Sequence, residues 1–177
     1  MRKLMSMLAV AAAVTAGAMS AEAKTVNPPK MTCAEFLALG EKIQPRAVAW
    51  LDGYSAAGKL KEQEVGDVDV VRQTDTLVVV CQQDPKVTFW DKVKAHLPGG
   101  SKKIKPTKMT CDEFVAMDDS VKPEAVFWSE GYNAGVKKED VTQVDLERDI
   151  NTVVIDCKQA PKESFWTKVK NFFHHGN

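Results

Sequence analysis

Residues 30–94 and 108–170 carry one pattern, in the same order, twice. Met-Thr-Cys-x-Glu-Phe begins at Met31 and again at Met109. Pro-x-Ala-Val-x-Trp-x-x-Gly-Tyr begins at Pro45 and Pro123, and Val-Asp recurs at Val68 and Val144. Cys-x-Gln-x-Pro-Lys-x-x-Phe-Trp-x-Lys-Val-Lys begins at Cys81 and Cys157. The offset is 78 residues as far as Tyr54/Tyr132 and 76 from Val68/Val144, so the second copy is two residues shorter in its middle. A chain that repeats its whole apolar inventory is expected to fold as two similar small domains rather than one large one. Two copies are too few for a stacked solenoid, in which at least about three neighbours share a core.

The repeats are preceded by an export-type leader. Arg2 and Lys3 form a basic start, residues 4–19 are uncharged and Ala-rich, and Ala21-Glu22-Ala23 places small residues where a signal peptidase reads them. The stretch is short and weakly apolar for a membrane span. Residues 1–23 are therefore expected to be a signal peptide. Two domains, 24–97 and 108–177, would then be joined by a basic linker at 98–107 that contains Gly99, Gly100 and Pro106.

Export gives the cysteines their meaning. Four cysteines in an oxidising compartment allow three pairings, and the repeat selects one, with each bridge inside its own copy. Cys33 would join Cys81 and Cys111 would join Cys157, at separations of 48 and 46 residues, unlike a C-x-x-C redox or zinc pattern. A unit of about 65 residues has a marginal core. Closing such a loop contributes about 4 kcal/mol in the chain-entropy model.

Local signals read as helical. Thr32-x-x-Glu35 and Thr110-x-x-Glu113 are capping boxes, each opening a short helix with Phe36, Leu37 and Leu39 inward in the first copy. Pro45 and Pro123 suit the first turn of a second helix, where Val48, Leu51 and Tyr54 share a face. Gly58, or Gly135 in the second copy, is expected to end it. Residues 64–71 read as extended loop. Val78, Val79 and Val80 favour a strand by β-branching, but the neighbouring Cys81 and Pro85 fit a short helix better. A last helix follows Lys86, with Phe89, Trp90 and Val93 at core spacing.

The ordered set of Cys-x-Glu-Phe, Pro-x-Ala-Val-x-Trp, Val-Asp, a second cysteine and Pro-Lys-x-x-Phe-Trp-x-Lys-Val-Lys resembles the HdeA/HdeB family of periplasmic acid-stress chaperones. The resemblance covers both copies. It implies an all-α fold of two tandem four-helix domains, each with a disulfide between its first and third helices, and no cofactor. It implies an ATP-independent holdase that self-associates at neutral pH, opens in acid and binds acid-unfolded periplasmic proteins. By the same resemblance, the self-association and client surface falls on residues 43–50 and 65–70 and their counterparts. In the first copy these are Ile43, Val48, Trp50 and Leu51, with Val65, Val68 and Val70. In the second they are Val121, Val126, Phe127 and Trp128, with Val141, Val144 and Leu146. Val48 and Val126 are the clearest core candidates; Phe127, which replaces Ala49, is the clearest exposed or interface candidate. The family's members are single domains that pair, so a tether of roughly ten residues at millimolar effective concentration favours an intramolecular pair here, with a homodimer as its rival.

Charge fits this picture without deciding it. The chain has 24 basic and 24 acidic side chains. Loss of the leader removes Arg2, Lys3 and Glu22. Protonating every remaining carboxylate would leave 22 Lys and Arg and three His uncompensated, which drives expansion. Neutral balance and export argue against a nucleic-acid partner. Catalysis finds no constellation: His96 lies at the linker edge, His174 and His175 at the tail, and the cysteines are taken by bridges. The remaining alternative is a periplasmic binding or envelope structural module of the same fold.

Overall fold

The computed structural model describes residues 25–57, 59, 68–69, 74–96, 103–138, 141 and 143–174. The expected signal peptide lies outside them, as do Gly58, Val65, Val70 and His175. The described residues form eight helices and four two-residue strands. The first repeat holds β1 (Thr25–Val26), α1 (Cys33–Leu37), α2 (Gln44–Ala57), β2 (Val68–Asp69), α3 (Thr74–Gln83) and α4 (Phe89–His96). The second runs in the same order: β3 (Lys103–Ile104), α5 (Cys111–Val115), α6 (Lys122–Lys137), β4 (Val144–Asp145), α7 (Asn151–Gln159) and α8 (Phe165–His174). The all-α, tandem four-helix architecture is as the pattern implied. Among the described residues no helix is long and apolar enough to cross a membrane.

Each repeat is tied at its base in the same way. The Thr32 amide donates to Glu35 Oε2 at 2.7 Å and the Glu35 amide donates to Thr32 Oγ1 at 3.3 Å. Thr110 and Glu113 repeat the first of these contacts at 2.8 Å. Cys33 in α1 is bonded to Cys81 in α3, and Cys111 in α5 to Cys157 in α7. Beneath the bridges Phe36 stacks on Phe89 and Phe114 on Phe165, with centroids 3.9 and 4.5 Å apart. The β-branched runs of α3 and α7 are thus held helical by a covalent tie and by burial of one side, Leu77 and Cys81 or Val153 and Cys157. Tertiary context overrides their local strand preference.

Three features add to or correct these expectations. The segment 64–71, read as extended loop although Val68 and Val70 alternate with acids as in a strand, contains β2, and its counterpart contains β4. Within residues 98–107, expected as a linker, β3 lies at 103–104, with Ile104 buried. The reason is shared: these strands pair across the repeats. β1 runs antiparallel to β4, with Thr25 opposite Asp145, and β2 runs antiparallel to β3, with Val68 opposite Ile104. A short extended segment has no partner within its own repeat and finds one in the other. Third, Gly135 does not end its helix. It lies inside α6, which continues to Lys137 and stops at Lys138 in the left-handed conformation, φ 53°.

The two hydrophobic cores do not respect the repeat boundary. The cluster built on Phe36, Trp50, Leu77 and Phe89 also takes Phe127, Ala134, Val144 and Leu146 from the second repeat. The cluster built on Phe114, Trp128 and Phe165 takes Ala49 from the first.

Candidate interface between the repeats

Helices α2 and α6 form the centre of the molecule. Contacts advance in step along both: Trp50 meets Gly131, while Tyr54 and Ala57 meet Gly135. The helices therefore run side by side in the same direction, related by an approximate two-fold axis. Their closest approach needs glycine. A Cβ on Gly53 would lie 2.0 Å from the Trp128 carbonyl oxygen, and one on Gly131 would lie 2.0 Å from that of Trp50. Backbone meets backbone there, so even a methyl group has no room.

Around the glycines the aromatic residues close the seam. Trp50 stacks on Tyr54 and Trp128 on Tyr132, at 5.2 and 5.4 Å. Both tryptophans are fully buried. The Trp128 indole N–H donates to Asp52 Oδ2 across the seam, 3.0 Å, and Asp52 is only 9% exposed. The counterpart contact is not made: Trp50 Nε1 is buried with no hydrogen-bond partner among the described residues. Arg46 donates from Nη1 to the Leu146 carbonyl oxygen at 2.9 Å, and its guanidinium lies over the Phe127 ring, 5.5 Å from the centroid. At the edge, Asn27 Nδ2 donates to the Val141 carbonyl oxygen at 2.6 Å. Glu124 lies partly buried beside this seam. Burial raises its carboxyl above the ordinary range, offset only in part by a backbone hydrogen bond and, to a smaller degree, by the Arg46 charge.

Of the residues proposed from sequence for self-association and client contact, Val65 and Val70 lie outside the described residues, and those whose side chains are described are covered by the fold. Val48, Trp50, Leu51, Val126, Phe127, Trp128 and Leu146 are fully buried, Val121 and Val144 nearly so, and Ile43 and Val141 half-buried. Val68 takes part in β2. Phe127 is wholly enclosed, inserted into the first repeat's core and edge-on to Phe173 at 6.1 Å. Sequence reasoning missed the glycine crossing, although Gly-Tyr at identical places in both repeats was the available signal. It also missed Asp52, Arg46 and the C-terminal aromatic pair Phe172 and Phe173. Arg148 clamps that pair, with its guanidinium 4.1 Å from the Phe172 ring centroid. Among the described residues no cluster of three or more His, Cys, Asp or Glu side chains is placed to hold a metal ion.

Comparison with known proteins agrees with this architecture. The HdeA/HdeB family model matches the chain twice, over residues 3–91 and 93–167. A probable acid stress chaperone HdeA of Brucella canis is 36% identical over 93 residues, which is 48% of this chain and 81% of the relative. The counterpart from Brucella ovis is 38% identical over 82 residues, 45% of this chain and 71% of the relative. The acid stress chaperone HdeA of Escherichia coli K12 is 33% identical over 73 residues, 41% of this chain and 64% of the relative. Each of these matches thus takes in less than half of the tandem. No solved structure matches the chain at a comparable level.

Proposed function

Because the chain belongs to the HdeA/HdeB family, we propose that it is an exported, ATP-independent holdase, closed near neutral pH and opened by acid to bind acid-unfolded proteins. The observation that carries this reading is the burial of the described members of the candidate client surface, with Phe127, Val144 and Leu146 seated in the first repeat's core. Residues enclosed in this way can serve clients only after the fold opens and α2 and α6 separate. The relatives named as acid stress chaperones support the class of activity. The expected compartment is the periplasm, which supplies no ATP, and the four cysteines in two bridges suit its oxidising conditions.

Acid supplies a driving force. Several carboxylates in helix caps and surface pairs have lowered pKa values. Glu113 is held low by the Thr110 amide and hydroxyl, Asp91 by Lys94 and Thr88, and Asp119 by Lys122. A carboxylate of this kind stabilises the fold above its unfolded pKa. That contribution is lost as pH falls through the depressed folded value. The excess positive charge then favours separation of the repeats. The disulfides keep each repeat from unfolding fully, so the opened chain still presents a bounded apolar surface.

The test is light scattering from unrelated proteins that precipitate on acidification. The chain is expected to suppress their aggregation at about pH 2–3 and to leave heat-driven aggregation at pH 7 unaffected. Clients that precipitate equally with and without it in acid would refute the proposal, and a structural or fixed-partner module would then be the better reading.

A further inference from the structure

The interface between α2 and α6 is symmetric at its closest crossing and asymmetric beside that point. Trp50/Trp128, Gly53/Gly131 and Tyr54/Tyr132 are identical pairs. Three equivalent positions at a spacing of three along the same helices differ: Arg46/Glu124, Ala49/Phe127 and Asp52/Glu130. We propose that these three positions form a pairing code, by which the first repeat fits the second better than either fits another copy of itself.

Each position supplies its own argument. Phe127 is fully buried in the first repeat's core and Ala49 in the second's. A large residue on one side is matched by a small one at the equivalent place on the other. Two phenylalanines would overfill the seam, and two alanines would leave space in it. Asp52 reaches the Trp128 indole N–H, whereas Glu130, at the equivalent place, makes no such bond to Trp50. Arg46 and Glu124 carry opposite charges at one repeat position, and the Arg46 charge is felt at the Glu124 carboxylate. Arg46 Nε and Glu124 Oε2 are both buried without a hydrogen-bond partner among the described residues. A pair of first repeats would carry arginine at both equivalent places, and a pair of second repeats glutamate at both. Like charges in a poorly hydrated seam reject the wrong partner, which is how specificity is commonly obtained. The occupant that this surface selects is the unlike repeat, and the short tether makes the one in the same chain the nearest.

A charge-swap cycle in the full-length chain at pH 7, without clients, tests the code independently of the acid reading. Arg46→Glu and Glu124→Arg each create a like-charged pair, and the double variant restores opposite charges in reverse. Denaturant unfolding should show both singles weakened and the double recovering, with a coupling of about fivefold in the unfolding equilibrium. Multiplicative single effects, with no recovery, would overturn the charge element. Should a single variant fail to fold, the milder Arg46→Gln and Glu124→Gln cycle should show a smaller coupling of the same sign, whatever the sign of each single effect. The Ala49→Phe and Phe127→Ala cycle tests size: the double should unfold later than the product of its singles requires. Sedimentation of the like-charged variants should show loss of the compact monomer. If both cycles show no coupling, the asymmetry is drift and the proposal falls.

Discussion

Glu113 and Glu124 show how two carboxylates in one chain oppose each other in acid. Glu113 accepts from the Thr110 amide and hydroxyl, which lowers its pKa. Its stabilisation is present above the unfolded value of about 4.3 and is lost below it. Glu113→Gln keeps an acceptor but cannot titrate. The thermal midpoint of this variant should fall less steeply than that of the parent between about pH 5 and pH 3. Glu124 has the reverse sign. Its folded pKa is raised by burial, so its charged form penalises the fold at neutral pH and protonation removes the penalty. Glu124→Gln is expected to raise the midpoint at pH 7 and to have little effect below the ordinary carboxylate range. A lower midpoint at pH 7 would show that its backbone hydrogen bond and the attraction of Arg46 together outweigh desolvation.

The crossing of α2 and α6 stands on two glycines. Gly53→Ala places a methyl group 2.0 Å from the Trp128 carbonyl oxygen and 2.9 Å from the Tyr132 amide nitrogen. Neither backbone atom can rotate away, so the helices must part. The expected cost is about 2–4 kcal/mol, at or above the upper end for overpacking, and Gly131→Ala should match it. Gly40→Ala is the control, because nothing lies within 4 Å of its added Cβ. Chemical denaturation checks all three, and the opening of the two crossing variants should move to higher pH. The helices themselves were legible from Thr32, Thr110, Pro45 and Pro123. The end of α6 was not, because Gly135 reads as a stop in one dimension. In three it is a close contact with Tyr54 and Ala57.

Opening should be a unimolecular event, since both halves of the interface lie on one chain. Small-angle scattering is expected to show a compact particle at pH 7 and an expanded one at about pH 2–3, with a midpoint that does not move on dilution. A midpoint that shifts with concentration would assign the closed state to pairing between chains. Reduction tests the other constraint. Loss of the 48- and 46-residue loops should weaken each repeat by about 4 kcal/mol in the chain-entropy model. Acidified reduced protein should then expand further than the oxidised form and lose its ability to hold clients in solution.

The pairing of Cys33 with Cys81 and of Cys111 with Cys157, the helix starts and the helical class follow from local chemistry and from repetition. A capping box acts over four residues, and a doubled pattern shows which distant positions are equivalent. The burial of Val48 and Val126 was legible for the same reason. The joining of the repeats was decided only in three dimensions. The pairing of Thr25–Val26 with Val144–Asp145 and the bond from Trp128 to Asp52 link residues 76 to 120 positions apart, and Phe127 inserts into the core of the other repeat. No local preference reports such contacts. They exist because two marginal cores, each too small to cover its own apolar face, reduce exposed surface by sharing one seam.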